Sequence, residues 1–335
     1  MSFKEISFII PVYNRPDEIH ELLQSFLKLE GNFLFEVLII EDGSTVPAKA
    51  IVEKYIDLLN ITYFFKPNTG PGDSRNYGMK RAKGDYFIIL DSDCLLPSNY
   101  LNAIDSYLKM NNVDFFGGPD AAHPSFSPLQ KAINFAMTSF LTTGGVRGKE
   151  AQSKKFQPRS FNMGLSKKAF EASGGFGNIH PGEDPDLSIR LWDLGFKSAF
   201  IKDAFVYHKR RISWIKFYQQ VHKFGLVRPI LNFRYPQYSS LTYWFPSFFI
   251  FGLLLAIILF FLGINFALLC FAFYFLLLFV LASVKEKSLF IGMMAVYAVF
   301  IQFLGYGTGF IFSYVNIHIL KKDAIQIFPQ LFYKN

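Results

Sequence analysis

Residues 242 to 315 are nearly continuous hydrocarbon, whereas residues 1 to 210 have the mixed composition of a globular domain. This break, near Tyr243, limits the fold more than any other feature. Tyr243 to Leu262 and Asn265 to Ser283 are each about 20 residues long, enough to cross the hydrocarbon core of a bilayer. Only Gly263-Ile264-Asn265 separates them, so the two form a helical hairpin. Leu289 to Val315 is a third candidate, interrupted by Gly305, Gly307 and Gly309, which permit either close helix packing or a break. A content of 51% hydrophobic residues, 41 of the 335 being Phe, is too apolar for a purely soluble enzyme.

Charge agrees with a membrane partner. The net charge is +8, and Lys209, Arg210, Arg211, Lys216, Lys223, Arg228 and Arg234 lie just before the apolar region. Beside a membrane segment, the simpler partner for such charge is anionic lipid rather than nucleic acid. Lys285 and Lys287 put the second short loop on the cytoplasmic side, together with the N-terminal domain. A full third crossing would leave Lys321, Lys322 and Lys334 outside, against that rule; a re-entrant or interfacial third segment would not. Cys94 and Cys270 form neither a disulfide framework nor a metal-ligand spacing, which suits a reducing compartment. MSFKEISFIIPVYN runs straight into a strand with no signal-peptide pattern, so export is not expected.

Before the apolar region, short apolar runs alternate with helical patterns. Ile6 to Val12, Phe35 to Ile40, Ile61 to Phe65 and Tyr86 to Leu90 read as strands. Between them, Pro16 opens a helix with Ile19, Leu22, Leu23, Phe26 and Leu27 on one face. Ser44 and Pro47 start a second with Ile51, Tyr55, Ile56 and Leu59 buried, and Asp73 to Ala82 is a third. Such alternation predicts an α/β fold, a mostly parallel sheet covered on both sides, with ligands beyond the carboxyl ends of the strands. The four strand exits read VYNR, EDGS, KPNTGPGDSRN and DSDC, all polar or charged.

Asp91 and Asp93 are two apart, so in extended chain both point the same way. Close carboxylates repel unless a cation or proton sits between them, and hard oxygen ligands facing one pocket suit Mg²⁺ or Mn²⁺ shared with phosphate. Otherwise, one caps the Pro97 helix and the other is exposed. Asn68 to Gly78, with Gly72 at its centre, is a glycine-rich loop running into a helix start, suited to holding an anion on backbone N–H groups or shaped by turn chemistry alone. Arg75 within it can fork onto a phosphate or a base carbonyl. Asp42 reads as a turn former before Gly43. Glu183 and Asp184 open a helix with Leu187, Leu191 and Leu194 at core spacing; they either favour its dipole or, at Asp184, supply a base for an attacking hydroxyl. His208 is a metal ligand or an ordinary strand-end histidine.

In order, IIPVYNR, EVLIIEDGS, NTGPGDSRNYG, YFIILDSDC, RSFNMGLSKKAFEASGGF, GEDPDLSIRL and FVYHKRR resemble glycosyltransferase family 2, with a GT-A fold, from Ile6 to about Arg228. The resemblance implies inverting transfer from a nucleotide-diphosphate sugar. It gives Asp42 to the base, Pro11, Tyr13 and Arg75 to the nucleotide, Asp91 and Asp93 to metal and donor, Asp184 to the catalytic base, and His208 to the metal, while Asn68 and Gly72 are expected at the donor as part of the glycine-rich loop. Phe217 to Arg228 lacks the R-W pair of processive synthases and is similar to the F-x-x-Q-x-x-x-x-G segment of single-addition enzymes, with Gln220 in place.

The expected organisation is a catalytic domain over 1–211, an amphipathic juxtamembrane segment over 212–241, two to three membrane helices over 242–316 and a tail over 317–335. The expected function is addition of one sugar to a lipid-linked glycan at the cytoplasmic face of the inner membrane, or to polyprenyl phosphate, an acceptor that needs no strong base. A non-catalytic nucleotide-sugar-binding subunit is the reading from another class, and intact D-x-D and ED motifs weigh against it. Leu129 to Thr143 reads as ordinary core or as a surface lying on the membrane. Ala151 to Gln157 reads as a loop that closes over the donor.

Overall fold

The computed structural model describes residues 5–121, 123, 126–143, 155–209 and 213–333. In chain order the elements are β1 (Ile6–Val12), α1 (Pro16–Phe26), β2 (Phe35–Asp42), α2 (Lys49–Val52), β3 (Ile61–Lys66), α3 (Pro71–Met79), β4 (Tyr86–Leu90), β5 (Cys94–Leu95) and α4 (Tyr100–Met110). There follow β6 (Phe115–Gly117), β7 (Asp120–Ala121), α5 (Pro128–Thr138), α6 (Phe140–Thr143), β8 (Asn162–Ser166), α7 (Lys167–Ser173), α8 (Glu183–Asp193), β9 (Ser198–Phe200) and β10 (Val206–His208). Four long helices then dominate: α9 (Trp214–Arg234), α10 (Phe245–Phe261), α11 (Phe266–Glu286) and α12 (Leu289–Tyr314).

The chain forms two compact units. The first holds residues 1–121, 149–208 and 332–335, and the second holds 122–148 and 209–331. In the first, a seven-stranded sheet runs β3-β2-β1-β4-β8-β6-β9, with β1 parallel to β2 and β4 and with β8 antiparallel to both β4 and β6. The central strands are apolar throughout because both faces are covered. Phe8, Ile10, Ile39 and Ile88 pack with Ile19, Leu22, Leu101 and Ile104 on one side. Ile9, Leu38, Ile40 and Ile89 pack with Met79, Leu187 and Leu191 on the other. Pro11 sits in β1 beyond Ile9, where the pairing with β4 ends, so its missing N–H leaves no gap in that ladder. A small sheet, β5-β10-β7, places His208 opposite Cys94.

The second expected helix is shorter than its pattern. Only Lys49–Val52 is helical, the chain then turns, and Ile56 is exposed while Tyr55 is buried beside His20. Only one turn of helix is needed to bring Val52 and Tyr55 to the core.

In the second unit, α12 packs against α9 and α5, with Phe217, Val221, Ala132, Ile133, Phe135 and Phe303 in one buried cluster. Glycines allow this approach. A Cβ on Gly225 would strike the Tyr306 carbonyl, and one on Gly305 would strike the Val221 side chain. The glycine-rich stretch of α12 therefore stays helical and packs closely. Residues 126–143 lie within the range expected for the catalytic domain, yet they group with the helices, because the apolar face of α5 has its partners on α12. Likewise α9, expected as an amphipathic linker, buries Phe217, Val221 and Leu226. Three helices, Leu241–Phe261, Phe266–Glu286 and Leu289–Ile319, are long and apolar enough to cross a membrane. Arg210, Arg211, Lys334 and residues 151–154 of the expected donor loop lie outside the described residues.

Candidate active site

The strand exits of the first unit bring the expected residues to one edge of the sheet. At the end of β2, Asp42 is buried and its carboxylate receives the Thr69 N–H at 3.0 Å, the Gly70 N–H at 2.9 Å and the Lys66 ammonium at 2.7 Å. Asn68 donates its side-chain amide to the Asp42 carbonyl at 2.8 Å. Asp42 thus organises the glycine loop as well as ending a strand. Gly70 at φ 94° precedes Pro71, the first residue of α3, and Gly72 lies against the Gly177 carbonyl, where a Cβ would sit at 3.1 Å. Tyr13 projects, 52% exposed, past the end of β1.

Arg75, on α3, is buried and divides its guanidinium between two carboxylates, Asp91 at 2.8 Å and Glu183 at 3.0 Å, with Phe176 5.2 Å beneath it. Its forked donors, expected on a phosphate or base, hold the D-x-D and ED segments together. Glu183 also accepts from His180 at 2.9 Å. Burial pushes Glu183 up, but His180 and Arg75 outweigh it and bring its carboxyl down to about 2. Burial disfavours the His180 imidazolium, and the Glu183 carboxylate nevertheless lifts it above the usual histidine range.

Asp184 has the opposite environment. Its Oδ1 is buried with no hydrogen-bond partner among the described residues, and burial, then the Glu183 charge, push the carboxyl up to about 6 against the pull of Arg75 and Arg159. A carboxylate so placed is a proton acceptor poised near neutrality.

Asp91 to Asp93 do not continue the strand. The chain turns after Leu90, with the Cys94 N–H bonded to the Asp91 carbonyl, and the two aspartates take different partners. Asp93 is held by Arg15 at 2.8 Å and by His208 at 3.2 Å. Donor atoms of Asp93, Cys94 and His208 lie within 4.8 Å of one another. The Cys94 thiol is held protonated, well above its ordinary value, by burial and by the Asp93 charge, and it donates to the Phe161 carbonyl. That leaves a carboxylate oxygen and an imidazole nitrogen, a donor pair that fits Mg²⁺ or Mn²⁺. His208 stacks on Phe161, with ring centroids 4.6 Å apart, and its Nδ1 is buried without a partner among the described residues.

Sequence reasoning named Asp42, Arg75, Asp91, Asp93, Asp184 and His208 but gave no role to Lys66 or Arg15, and to Glu183 only the helix dipole. Arg15 was visible in VYNR, and Lys66 directly follows the third strand. Glu183 stood beside Asp184, and the remote Arg75 is what sets the pair apart. Tyr333, whose ring lies on Gly70, had no sequence signal.

A mostly parallel sheet interrupted by antiparallel β8, with carboxylates and an arginine gathered past its strand ends, defines a GT-A glycosyltransferase. The family model for glycosyl transferase family 2 matches residues 7–174, half of the chain, and the chain belongs to that family. A protein described as an uncharacterized glycosyltransferase of Rickettsia bellii (strain RML369-C) is 37% identical over 111 residues, covering 33% of this chain and 16% of that protein. The poly(ribitol-phosphate) beta-N-acetylglucosaminyltransferase TarS of Staphylococcus aureus (strain Mu50) is 33% identical over 143 residues, covering 39% and 25%. The matched stretch thus spans a quarter or less of these two relatives. The mannosyltransferase PcManGT from Pyrobaculum calidifontis, solved in complex with GDP-Man and Mn²⁺, shares the fold with a TM-score of 0.57 at 15% identity, covering 96% of this chain and 89% of that one.

Proposed function

We propose that the protein is a metal-dependent inverting glycosyltransferase that moves one sugar from a nucleotide-diphosphate donor to a lipid-linked glycan at the membrane surface. The observation that carries this reading is Asp184, a half-buried carboxylate beside the Arg75 array, one of whose oxygens is buried with no hydrogen-bond partner among the described residues. Asp184 takes the proton of the acceptor hydroxyl as its oxygen attacks the anomeric carbon. The bond from that carbon to the diphosphate breaks with its electron pair on the departing nucleotide, and a single displacement inverts the centre. Arg75 keeps Asp91 and Glu183 in register, so that Glu183 stays charged and sustains the basicity of Asp184. The first turn of α3, whose approach Asp42 braces at Thr69 and Gly70, receives the donor. Asp93 and His208 would hold a Mg²⁺ or Mn²⁺ ion, with Asp91 two residues before Asp93 and held by Arg75. When bound, such an ion neutralises charge on the leaving diphosphate.

The helical unit supports action at a membrane. In this reading α10 and α11 cross as the hairpin, and α12 is a helix held against α5 and α9. Lys285 and Lys287 favour the cytoplasmic face for that unit, with anionic lipid as its surface.

The test is nucleotide release by the detergent-solubilised chain from a panel of UDP-, GDP- and dTDP-sugars, with Mn²⁺, with Mg²⁺ and with chelator. Metal-dependent turnover of one donor, lost in Asp93→Asn and Asp184→Asn, is expected. Full activity in Asp184→Asn would redirect the acceptor to a phosphate anion, which needs no base. Neither turnover nor binding of any donor would remove the nucleotide-sugar assignment.

A further inference from the structure

Tyr333 follows the entire helical unit in sequence, yet it belongs to the catalytic unit. Its backbone is fixed there: Phe332 bridges antiparallel to Ile179, and the Tyr333 N–H donates to the Asn178 carbonyl at 3.0 Å. Its ring lies directly on Gly70, where a Cβ would strike three of the ring carbons. Gly70 in turn gives its N–H to Asp42. The ring lines a pocket of about 100 Å³ with Thr69, Gly72, Asp73, Asn76 and Phe176, all but the last from the glycine loop and α3. His180, the partner of Glu183, lies 5.8 Å from it, centroid to centroid. Tyr333 is only partly buried, so it covers the loop without being sealed by it.

We propose that Tyr333 is a wall of the nucleobase slot of the donor site, one ring face resting on Gly70 and the other open to stack on the base. The proposal rests on the transferase reading and extends it to a residue outside the family's sequence motifs. The chemistry favours a base over the diphosphate. A phenol ring offers an apolar face and a single hydroxyl, which suits a flat heterocycle and gives little to a multiply charged anion. Burial, with the Asp42 and Glu183 carboxylates nearby, keeps the phenol above its ordinary range and therefore neutral. Asp42 holds the same loop at Thr69 and Gly70, so the ring and the residue assigned to the base converge on Gly70.

The experiment is isothermal titration of the full-length chain in detergent with UDP, GDP, dTDP and inorganic pyrophosphate. The proteins compared are wild type, Tyr333→Ala, Tyr333→Leu and Tyr333→Phe. For whichever nucleoside diphosphate the wild type binds, Ala and Leu are expected to weaken affinity roughly tenfold and Phe to keep it, as stacking on an aromatic face requires. Pyrophosphate affinity is expected to stay the same in all four. Leu keeps bulk on Gly70, so the Leu–Phe comparison decides the matter even if the Ala protein is unstable. Unchanged nucleotide affinity in Ala and Leu overturns the proposal, and so does equal weakening of pyrophosphate. Tighter nucleotide binding in Ala also overturns it, because the ring would then be occupying the slot. A wild-type chain that binds none of the three nucleotides removes the transferase reading first, and this is seen before any substitution is made.

Discussion

Glu183, buried, and Asp184, half-buried, are neighbouring carboxylates at the start of α8, and their surroundings pull them in opposite directions. Glu183 is ion-paired with Arg75 and His180 and falls to about 2, while Asp184 keeps an oxygen without a partner among the described residues and rises to about 6. Two acids held apart in this way divide the labour of a site: one stays charged and structural, the other is free to exchange a proton.

The first prediction concerns pH. Asp184 must be ionised to accept a proton, so kcat/KM should rise with pH, reach half its plateau near pH 6 and stay flat above about pH 7. Asp184→Asn should lower kcat by about 10²–10⁴-fold at every pH, without changing metal affinity. A pH–rate profile with a metal titration alongside measures both.

The same residue should oppose stability. The folded carboxyl, about 6, lies above its ordinary 3.8, so ionising it costs stability as pH rises through that window, at most about 3 kcal/mol. Glu183 has the opposite sign. Its contribution is present above about 4.5 and lost as pH falls through about 2. Asp184→Asn should therefore raise the thermal midpoint at pH 7.5 while abolishing transfer, and little of that gain should remain at pH 4.

Removing Glu183 tests the coupling. Glu183→Gln leaves Arg75 buried with one carboxylate in place of two, which should destabilise the fold by about 3 kcal/mol. Because the Glu183 charge helps to raise Asp184, the midpoint of the pH–rate profile should move down in whatever activity survives. Chemical denaturation and a pH profile read the two effects separately.

Metal affinity should depend on His208 and not on Cys94. His208→Ala should weaken Mn²⁺ binding about 10-fold or more, since an imidazole ligand is lost. Cys94→Ser should leave it unchanged, because the thiol is protonated and bonded to the Phe161 carbonyl. Calorimetric Mn²⁺ titration of both variants checks this, and equal losses would put Cys94 in the ligand set.

In the helical unit, Gly225→Ala should cost about 1–3 kcal/mol, because its Cβ meets the Tyr306 carbonyl, a backbone atom that cannot turn aside. Thermal unfolding in detergent should show the loss, while donor binding per folded molecule stays the same.

The sequence alone determined the features that depend on neighbours a few residues apart. The apolar runs of β1, β2 and β4, the glycine loop entering α3 and the apolar lengths of α10 to α12 follow from side-chain period and turn chemistry, which act locally. The identities of Asp42, Arg75, Asp91, Asp93 and Asp184 as candidates also came from position, since each follows a strand or opens a helix. Their partnerships did not. Arg75 meets Glu183 across 108 residues, Arg15 meets Asp93 across 78, and Tyr333 reaches Gly70 from beyond all the long helices. The pattern of α5 marked it as apolar without showing that its face belongs against α12, and the turn at Asp91–Asp93 separated two side chains that extended chain would have aligned. Tertiary structure decided these pairings, because which charges neutralise one another and which carboxylate is left to accept a proton are set by distance and burial after the chain has closed.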